Sequence, residues 1–182
     1  LHKSTFLILS VYFYRMKLES ERLIIRDIRI NDAAFYFELF NNPDWIKFIS
    51  DKNLKSVDET AAYLEKMKSE NSKLGGLGFF TVLLKETNEA IGVSTALQRD
   101  ALEYVDIGYG FLPEARGKGY ATEATKLIIE YVRNTFKQKK VYAFTKPNNE
   151  NSQKLLKNLN FKYIGEKVIF DNEEDAVFEF EF

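Results

Sequence analysis

The sequence predicts a mixed α/β fold, and three observations carry that expectation. Short runs rich in β-branched and aromatic residues recur along the chain with the alternation of half-buried strands. Segments with apolar residues at helical spacing are interleaved with them. No Pro/Ser-rich linker, internal repeat or low-complexity block divides the 182 residues, so one domain is expected. The segments add up to about seven strands and about four helices.

Taken in order, Leu23, Ile25 and Ile28 set a strand pattern, and Asn31-Asp32 offer an N-cap to a helix over Ala33 to Phe40. Asn41-Asn42-Pro43 ends that helix, because the residue before a proline is driven out of helical dihedrals. Ser56-Val57-Asp58-Glu59 has the form of a capping box ahead of a helix over 57–70, with Ala61, Leu64 and Met67 on one face. Gly75-Gly76-Leu77-Gly78 is a loop before a strand over 79–85, and Glu86-Thr87-Asn88-Glu89 turns it into a second strand over 90–97. A strand over 103–111 follows, then a helix over 118–134 with Ala121, Ala124, Ile128 and Tyr131 on one side. Val141 to Thr145 is a strand, and Pro147-Asn148-Asn149 leads into a helix over 150–158. Strands over about 161–170 and 175–182 close the chain as a hairpin through Asp171-Asn172, the second alternating at Val177, Phe178, Phe180 and Phe182.

Composition removes several chemistries. A hydrophobic fraction of 45% and a charged fraction of 29% are those of a soluble globular chain. A formal net charge of -1 supplies no field for nucleic acid, so no nucleic-acid partner is expected. Cysteine is absent, which excludes disulfides, thiolate metal sites and an acyl-cysteine route. The single histidine is His2, so His-based triads and HExxH zinc sites are excluded as well, and no metal is expected.

Residues 1–15, LHKSTFLILSVYFYR, do not match the rest. Their apolar run is short, is interrupted by Ser10, lacks a small-residue cleavage site and cannot span a bilayer. Met16-Lys17-Leu18-Glu19 reads as a natural start. Residues 1–15 are therefore expected to be an upstream extension, either unstructured or an added strand, ahead of a domain over 16–182. A cytoplasmic protein without a membrane partner is the accompanying expectation.

The richest stretch is Asp106 to Ala124, DIGYGFLPEARGKGYATEA. A strand containing Gly108 and Gly110 runs into Pro113, then into a basic Gly-X-Gly loop that opens a helix. Gly117 and Gly119 allow a tight turn and close approach of a ligand. The amides of residues 117–122 then stand at a helix start, where roughly half a positive charge is concentrated. Arg116 and Lys118 add formal charge. The loop suits a diphosphate. GxxxxGK[ST] is missing and no G-x-G-x-x-G follows the first strand, which disfavours a P-loop or Rossmann site.

Arg116-Gly117-Lys118-Gly119-Tyr120-Ala121 resembles the Arg/Gln-X-X-Gly-X-Gly/Ala pattern of the GNAT superfamily of N-acetyltransferases. Glu21-Arg22-Leu23-Ile24-Ile25-Arg26 resembles the opening strand of its RimJ/RimL-like branch, which acetylates ribosomal-protein N-termini. Asp106-Ile107-Gly108-Tyr109 with Pro113-Glu114 resembles the central strand, and Asn149-X-X-Ser152 with Leu155, Leu156 and Phe161 the late helix. The resemblance covers about residues 17–182, in order and spacing. Leu159-Asn160-Phe161 stands where the family has Leu-Gly-Phe, and Asn tolerates the left-handed position after a helix.

The resemblance implies the acyl-CoA N-acyltransferase fold, with a mostly antiparallel sheet that splays near its middle, and acetyl-CoA as co-substrate. It places the pyrophosphate on Arg116, Gly117, Lys118, Gly119, Tyr120 and Ala121. Backbone around Tyr109 to Leu112, with Phe111 and Leu112 as cofactor contacts, would orient the thioester. Asn149 and Ser152 would lie against the cofactor, although both residue types also favour helix caps for local reasons. Ser152 would return a proton to the leaving thiolate, with Tyr109 as an alternative acid. The base would be Asp106 or water near it. Glu103, three residues earlier, would face the other side of a regular strand. Asn41 to Ile49 lies where the family builds its acceptor wall, so Trp45 serves packing or recognition. The expected activity is direct acetyl transfer to a primary amine, a protein N-terminus or a small molecule, by a monomer or homodimer. A catalytically silent acyl-CoA-binding module and an ATP-binding protein are the alternatives.

Overall fold

The computed structural model of the chain describes residues 16–170 and 173–182. Among them the chain runs β1 (Lys17–Glu19), β2 (Leu23–Asp27), α1 (Ala33–Phe40), α2 (Pro43–Phe48), α3 (Val57–Lys73), β3 (Gly78–Leu84), β4 (Ala90–Leu97) and β5 (Asp106–Phe111). It continues through α4 (Tyr120–Phe136), β6 (Lys140–Thr145), α5 (Glu150–Asn158), β7 (Lys162–Phe170) and β8 (Glu173–Glu181). The eight strands form one sheet in the order β1-β2-β3-β4-β5-β6-β8-β7. Every neighbouring pair is antiparallel except β5 and β6, which run parallel. The expected mixed, mostly antiparallel sheet is present. The expectations for residues 1–15 and for the Asp171-Asn172 turn lie outside the described residues. Among the described residues no helix is long and apolar enough to cross a membrane.

The sheet has a packed layer on each face. On one, α4 and α5 cover Phe80, Ala96, Ile107 and Phe111 with Ala124, Ile128, Val132 and Leu156. On the other, Tyr36, Leu39, Phe40, Trp45, Leu64 and Met67 from α1 to α3 pack with Val93 and Leu112. The expected apolar face of α4 is the buried one at Ala124, Ile128 and Tyr131. Ser56 caps α3 by accepting from the Glu59 N–H at 3.1 Å. The Glu59 carboxylate reaches the Lys55 N–H at 2.8 Å rather than that of the cap, a box displaced by one residue.

Among the places where the elements differ from the sequence expectation, three have a clear local reason. Pro43 starts α2 as well as ending the segment before it. Asn42 accepts the Asp44 N–H at 3.0 Å, and proline is well placed at a first helical position, where its missing N–H costs nothing. The strand expected at 103–111 begins at Asp106, because β4 ends at its partner Leu97. Glu103 is therefore an exposed bend residue outside the strand. The helix expected from 118 begins at Tyr120, because Gly119 is left-handed (φ 81°). β1, three residues long, adds an edge strand.

One polar knot ties the sheet to α1. The Arg26 guanidinium grips both Asp32 carboxylate oxygens, at 2.7 and 2.8 Å. Asp32 also accepts from the Arg29 N–H at 2.9 Å and from Thr81 Oγ1 at 3.0 Å, and Thr81 meets the Tyr36 hydroxyl at 3.2 Å. Burial works to raise the Asp32 pKa. The hydrogen bonds from Arg26, Arg29 and Thr81 outweigh it and hold the carboxyl below its ordinary value.

The end of α5 follows the expectation for Asn160, which takes φ 65°. The Asn160 N–H bonds the Lys157 carbonyl and the Phe161 N–H bonds the Leu156 carbonyl, both at 3.0 Å, a complete Schellman closure.

Candidate active site

β5 is paired along its whole length on one side and opens on the other. Its register with β4 is regular from Asp106↔Leu97 to Phe111↔Gly92. With β6 it shares one pair, Asp106↔Tyr142, closed by the Tyr142 N–H on the Val105 carbonyl at 2.9 Å. The N–H and C=O of one strand residue point the same way, and successive residues alternate. Leu112 donates to the Ile91 carbonyl at 3.1 Å, so residues of even number address β4. Val105, Ile107, Tyr109 and Phe111 consequently turn their backbone groups toward β6, which pairs only at the base. The Phe111 carbonyl accepts from Arg116 Nε at 2.9 Å. The amides of Tyr109 and Phe111 face the opening.

The basic loop leaves the wide end of that opening. Gly117 and Gly119 have φ 73° and 81°, both in the left-handed region. A helix leaves its first N–H groups without intrahelical partners, and here the first such bond is from Glu123 N–H to the Gly119 carbonyl at 3.1 Å. The cap residue has no side chain to cover the amides of Tyr120, Ala121 and Thr122. Lys118 is exposed beside them. Arg116 is committed elsewhere: its N–H bonds the Pro113 carbonyl at 3.1 Å, and its guanidinium reaches Phe111, the Asp44 carboxylate and Asn42. Arg116 thus fastens the loop's root to β5 and α2, and the backbone after it carries the uncapped amides of the helix start.

Tyr109 and Ser152 meet on the α4–α5 face of the sheet. Their hydroxyls are 2.9 Å apart. Burial pushes the Tyr109 pKa up to about 12 against the opposing hydrogen bond with Ser152, so the phenol is protonated at neutral pH. Ser152 lies in the first turn of α5, and its N–H bonds Asn149 Oδ1 at 3.2 Å. Asn149 therefore caps the helix, and the cap fixes the backbone that carries Ser152.

The opposite face of β5 belongs to α2. A Cβ on Gly110 would come within 2.5 Å of Trp45 Cζ3, and one on Gly108 within 2.8 Å of Thr95 Oγ1. These glycines answer close approach by side chains, with no bulge in the register. Trp45 is 5% exposed and packs with Phe40 and Leu112, which gives it a packing role. Asp106, 4% exposed, stands on this face too, bonded to Arg99 Nε at 2.7 Å. Burial raises its carboxyl above its ordinary value, and Arg99 pulls it back only in part.

The structure brings Tyr109, Phe111, Ser152, Asn149 and the loop 117–121 around one opening, with Asp106 at its closed end. Three partners were not read from the sequence: Arg22, Glu123 and Arg99. Glu123 carried a signal. An acidic residue one turn into a helix read as an anion site is a like charge there, and Arg22 is the cation that pairs with it. A strand aspartate likewise implies a partner such as Arg99.

The family profile described as Acetyltransferase (GNAT) domain matches residues 22–162. The uncharacterised N-acetyltransferase p20 of Bacillus licheniformis is 28% identical over 149 residues, 81% of this chain and 83% of that protein. The ribosomal-protein-S5-alanine acetyltransferase of Vibrio fischeri superposes with a TM-score of 0.73 at 21% identity, over 91% of this chain and 96% of that one. The microcin C7 self-immunity acetyltransferase, solved with acetyl-CoA and AMP, superposes with a TM-score of 0.76 at 16% identity, over 90% and 94% of the two chains.

Proposed function

The chain belongs to the GNAT acetyltransferase family, whose co-substrate is acetyl-CoA, and on that premise we propose that it acetylates a primary amine directly, with both substrates bound at once. The observation that carries this reading is the one-rung junction of β5 and β6, with an amide-lined loop at its wide end. The residues fit the group. Backbone at Tyr109 and Phe111 would hold the pantetheine amides and orient the thioester, with Leu112 behind them in the wall. Gly117, Lys118, Gly119, Tyr120 and Ala121 would hold the diphosphate, on a root fixed by Arg116. Asn149 and Ser152 would border the thiol end. Acetyl-CoA, when bound, supplies the acetyl group as a thioester.

The chain's own groups then manage the protons. The sequence has no cysteine to carry an acyl group, which supports direct transfer. Asp106, or water held near it, takes the proton from the amine, and the burial that raises its pKa makes it a stronger proton acceptor than an exposed carboxylate. The Tyr109 and Ser152 hydroxyls share one hydrogen bond in which either can donate; with Tyr109 as the donor, the Ser152 hydrogen points away from it and can pass to the departing sulfur. Ser152→Ala should lower kcat by roughly 10²-fold while leaving coenzyme A affinity close to wild type. A variant with full kcat in a thiol-release assay removes Ser152 from the chemistry.

The acceptor is a protein N-terminal amine or a small amine, the former favoured by the resemblance to the ribosomal-protein branch. Thermal-shift titration with acetyl-CoA, coenzyme A and ATP tests the cofactor half. A ligand at about 100 times its Kd stabilises the fold by roughly 2.7 kcal/mol. Stabilisation by acetyl-CoA but not ATP is expected, followed by thiol release with one class of peptide or amine. No shift with any ligand overturns the reading, and a shift with no thiol release across both acceptor classes reduces the protein to a binding module.

A further inference from the structure

Arg22 sits where the diphosphate-binding loop is shaped, outside every residue assigned above to ligand contact or chemistry. Its Nε bonds Glu123 Oε2 at 2.7 Å, and Nη2 approaches the same carboxylate at 2.6 Å. Its Nη1 donates to the Lys118 carbonyl at 3.0 Å, and its guanidinium lies 4.7 Å from the centre of the Tyr120 ring. Glu123 is held in turn by the Ser20 hydroxyl at 2.6 Å and the Arg22 N–H at 3.1 Å. The β1–β2 connection and the first turn of α4 are thereby locked together across the loop.

The bond to Lys118 has a directional consequence. A trans peptide is planar, with its C=O and N–H pointing to opposite sides. Arg22 draws the Lys118 carbonyl toward the β1–β2 connection, so the Gly119 N–H of the same peptide is aimed the other way. Left free, that carbonyl could swing round and present a negative dipole to an anion. The same guanidinium lies 3.4 Å from where a Cβ on Gly119 would stand, so the clamp and the left-handed glycine fit as one unit.

We propose that Arg22, oriented by Glu123, is a positioning residue that fixes the Lys118–Gly119 peptide with its amide toward the diphosphate. It acts through the loop, not by touching the ligand. The inference rests on the loop being the diphosphate site of the proposed function.

The test compares coenzyme A with pantetheine, which has the same thiol arm but no diphosphate, by calorimetric titration of the full chain. In the wild type, coenzyme A should bind the tighter of the two. Arg22→Ala should weaken coenzyme A roughly tenfold, about one charge-assisted hydrogen bond, and leave pantetheine unchanged. Glu123→Gln, a milder change that preserves volume, should weaken coenzyme A by a smaller factor in the same selective way. It also separates two roles, because an Arg22 that bound phosphate directly would bind it more tightly once released from Glu123. Unchanged selectivity in both variants, or tighter coenzyme A binding in Glu123→Gln, overturns the positioning role. Equal affinities of the wild type for the two ligands would instead overturn the loop as a diphosphate site, a separate failure.

Discussion

Gly119→Val should raise the Kd for coenzyme A by roughly 10²–10⁴-fold, from loss of about two hydrogen bonds to a charged group. Residue 119 holds φ 81°, a region in which a β-branched side chain is a steric outlier. The new Cβ would also press on Arg22 Nη2 from 3.4 Å, disturbing the pair that shapes the loop. Relaxation of residue 119 to negative φ turns the neighbouring amides away from a common point. The damage remains local, because strain of about 1–3 kcal/mol in an exposed loop does not unfold a domain. Circular dichroism should therefore match wild type, with a melting temperature a few degrees lower. Gly119→Asn, which tolerates the left-handed region, should lose less affinity. A folded Gly119→Val protein with undiminished affinity would falsify the assignment of the loop.

Asp32→Ala should destabilise the fold by about 3–5 kcal/mol, the usual cost of leaving a buried charge unpaired. The Arg26 side chain is only 12% exposed and would lose both oxygens it grips. The Arg29 amide and Thr81 hydroxyl would lose an acceptor as well. For a chain of this length the melting temperature should fall by roughly 10 °C. The pH dependence has a defined sign. Because the folded-state pKa lies below the ordinary 3.8, the carboxylate's contribution is present above that pH and is lost as acidification proceeds through the folded value. Wild type and variant should therefore converge in stability as the solution is made strongly acidic. A constant gap between their denaturation midpoints down to low pH would place the effect in packing alone.

Local chemistry was legible in the sequence, and distant partnership was not. The turn residues of 116–121 and the periodicity of α4 are properties of neighbouring residues, and both stand where those patterns put them. So does the left-handed Asn160. The start of β5 was misplaced because a strand ends where its partner ends, and the partner Leu97 is fixed by the hairpin before it. α2 was hidden by Pro43, read as a terminator when Asn42-Pro43-Asp44 is also a cap, a first position and an acidic first turn. The bracket from Arg22 to Glu123 spans 101 residues, and the contact of Tyr109 with Ser152 spans 43. No spacing rule reaches so far. Only the sheet order and the two helix starts bring those residues together.

The single rung between β5 and β6 makes the sheet compliant along one line. Elsewhere neighbouring strands are stitched through several successive pairs, and such ladders resist being pulled apart because hydrogen bonds weaken steeply with distance and angle. Across the β5–β6 boundary the halves are joined mainly by apolar contact, with Ile107 and Phe111 on one side sharing a core with Val141 and Ala143 on the other. Such contacts have no preferred direction. The bond from Tyr142 to Val105 is then a hinge pin, about which the gap widens without rupture of a ladder. The seam with the fewest paired residues is the one the proposed function assigns to the cofactor. A guest bonded to β5 there would stand where the next strand's ladder is missing, a keystone supplied from outside the chain.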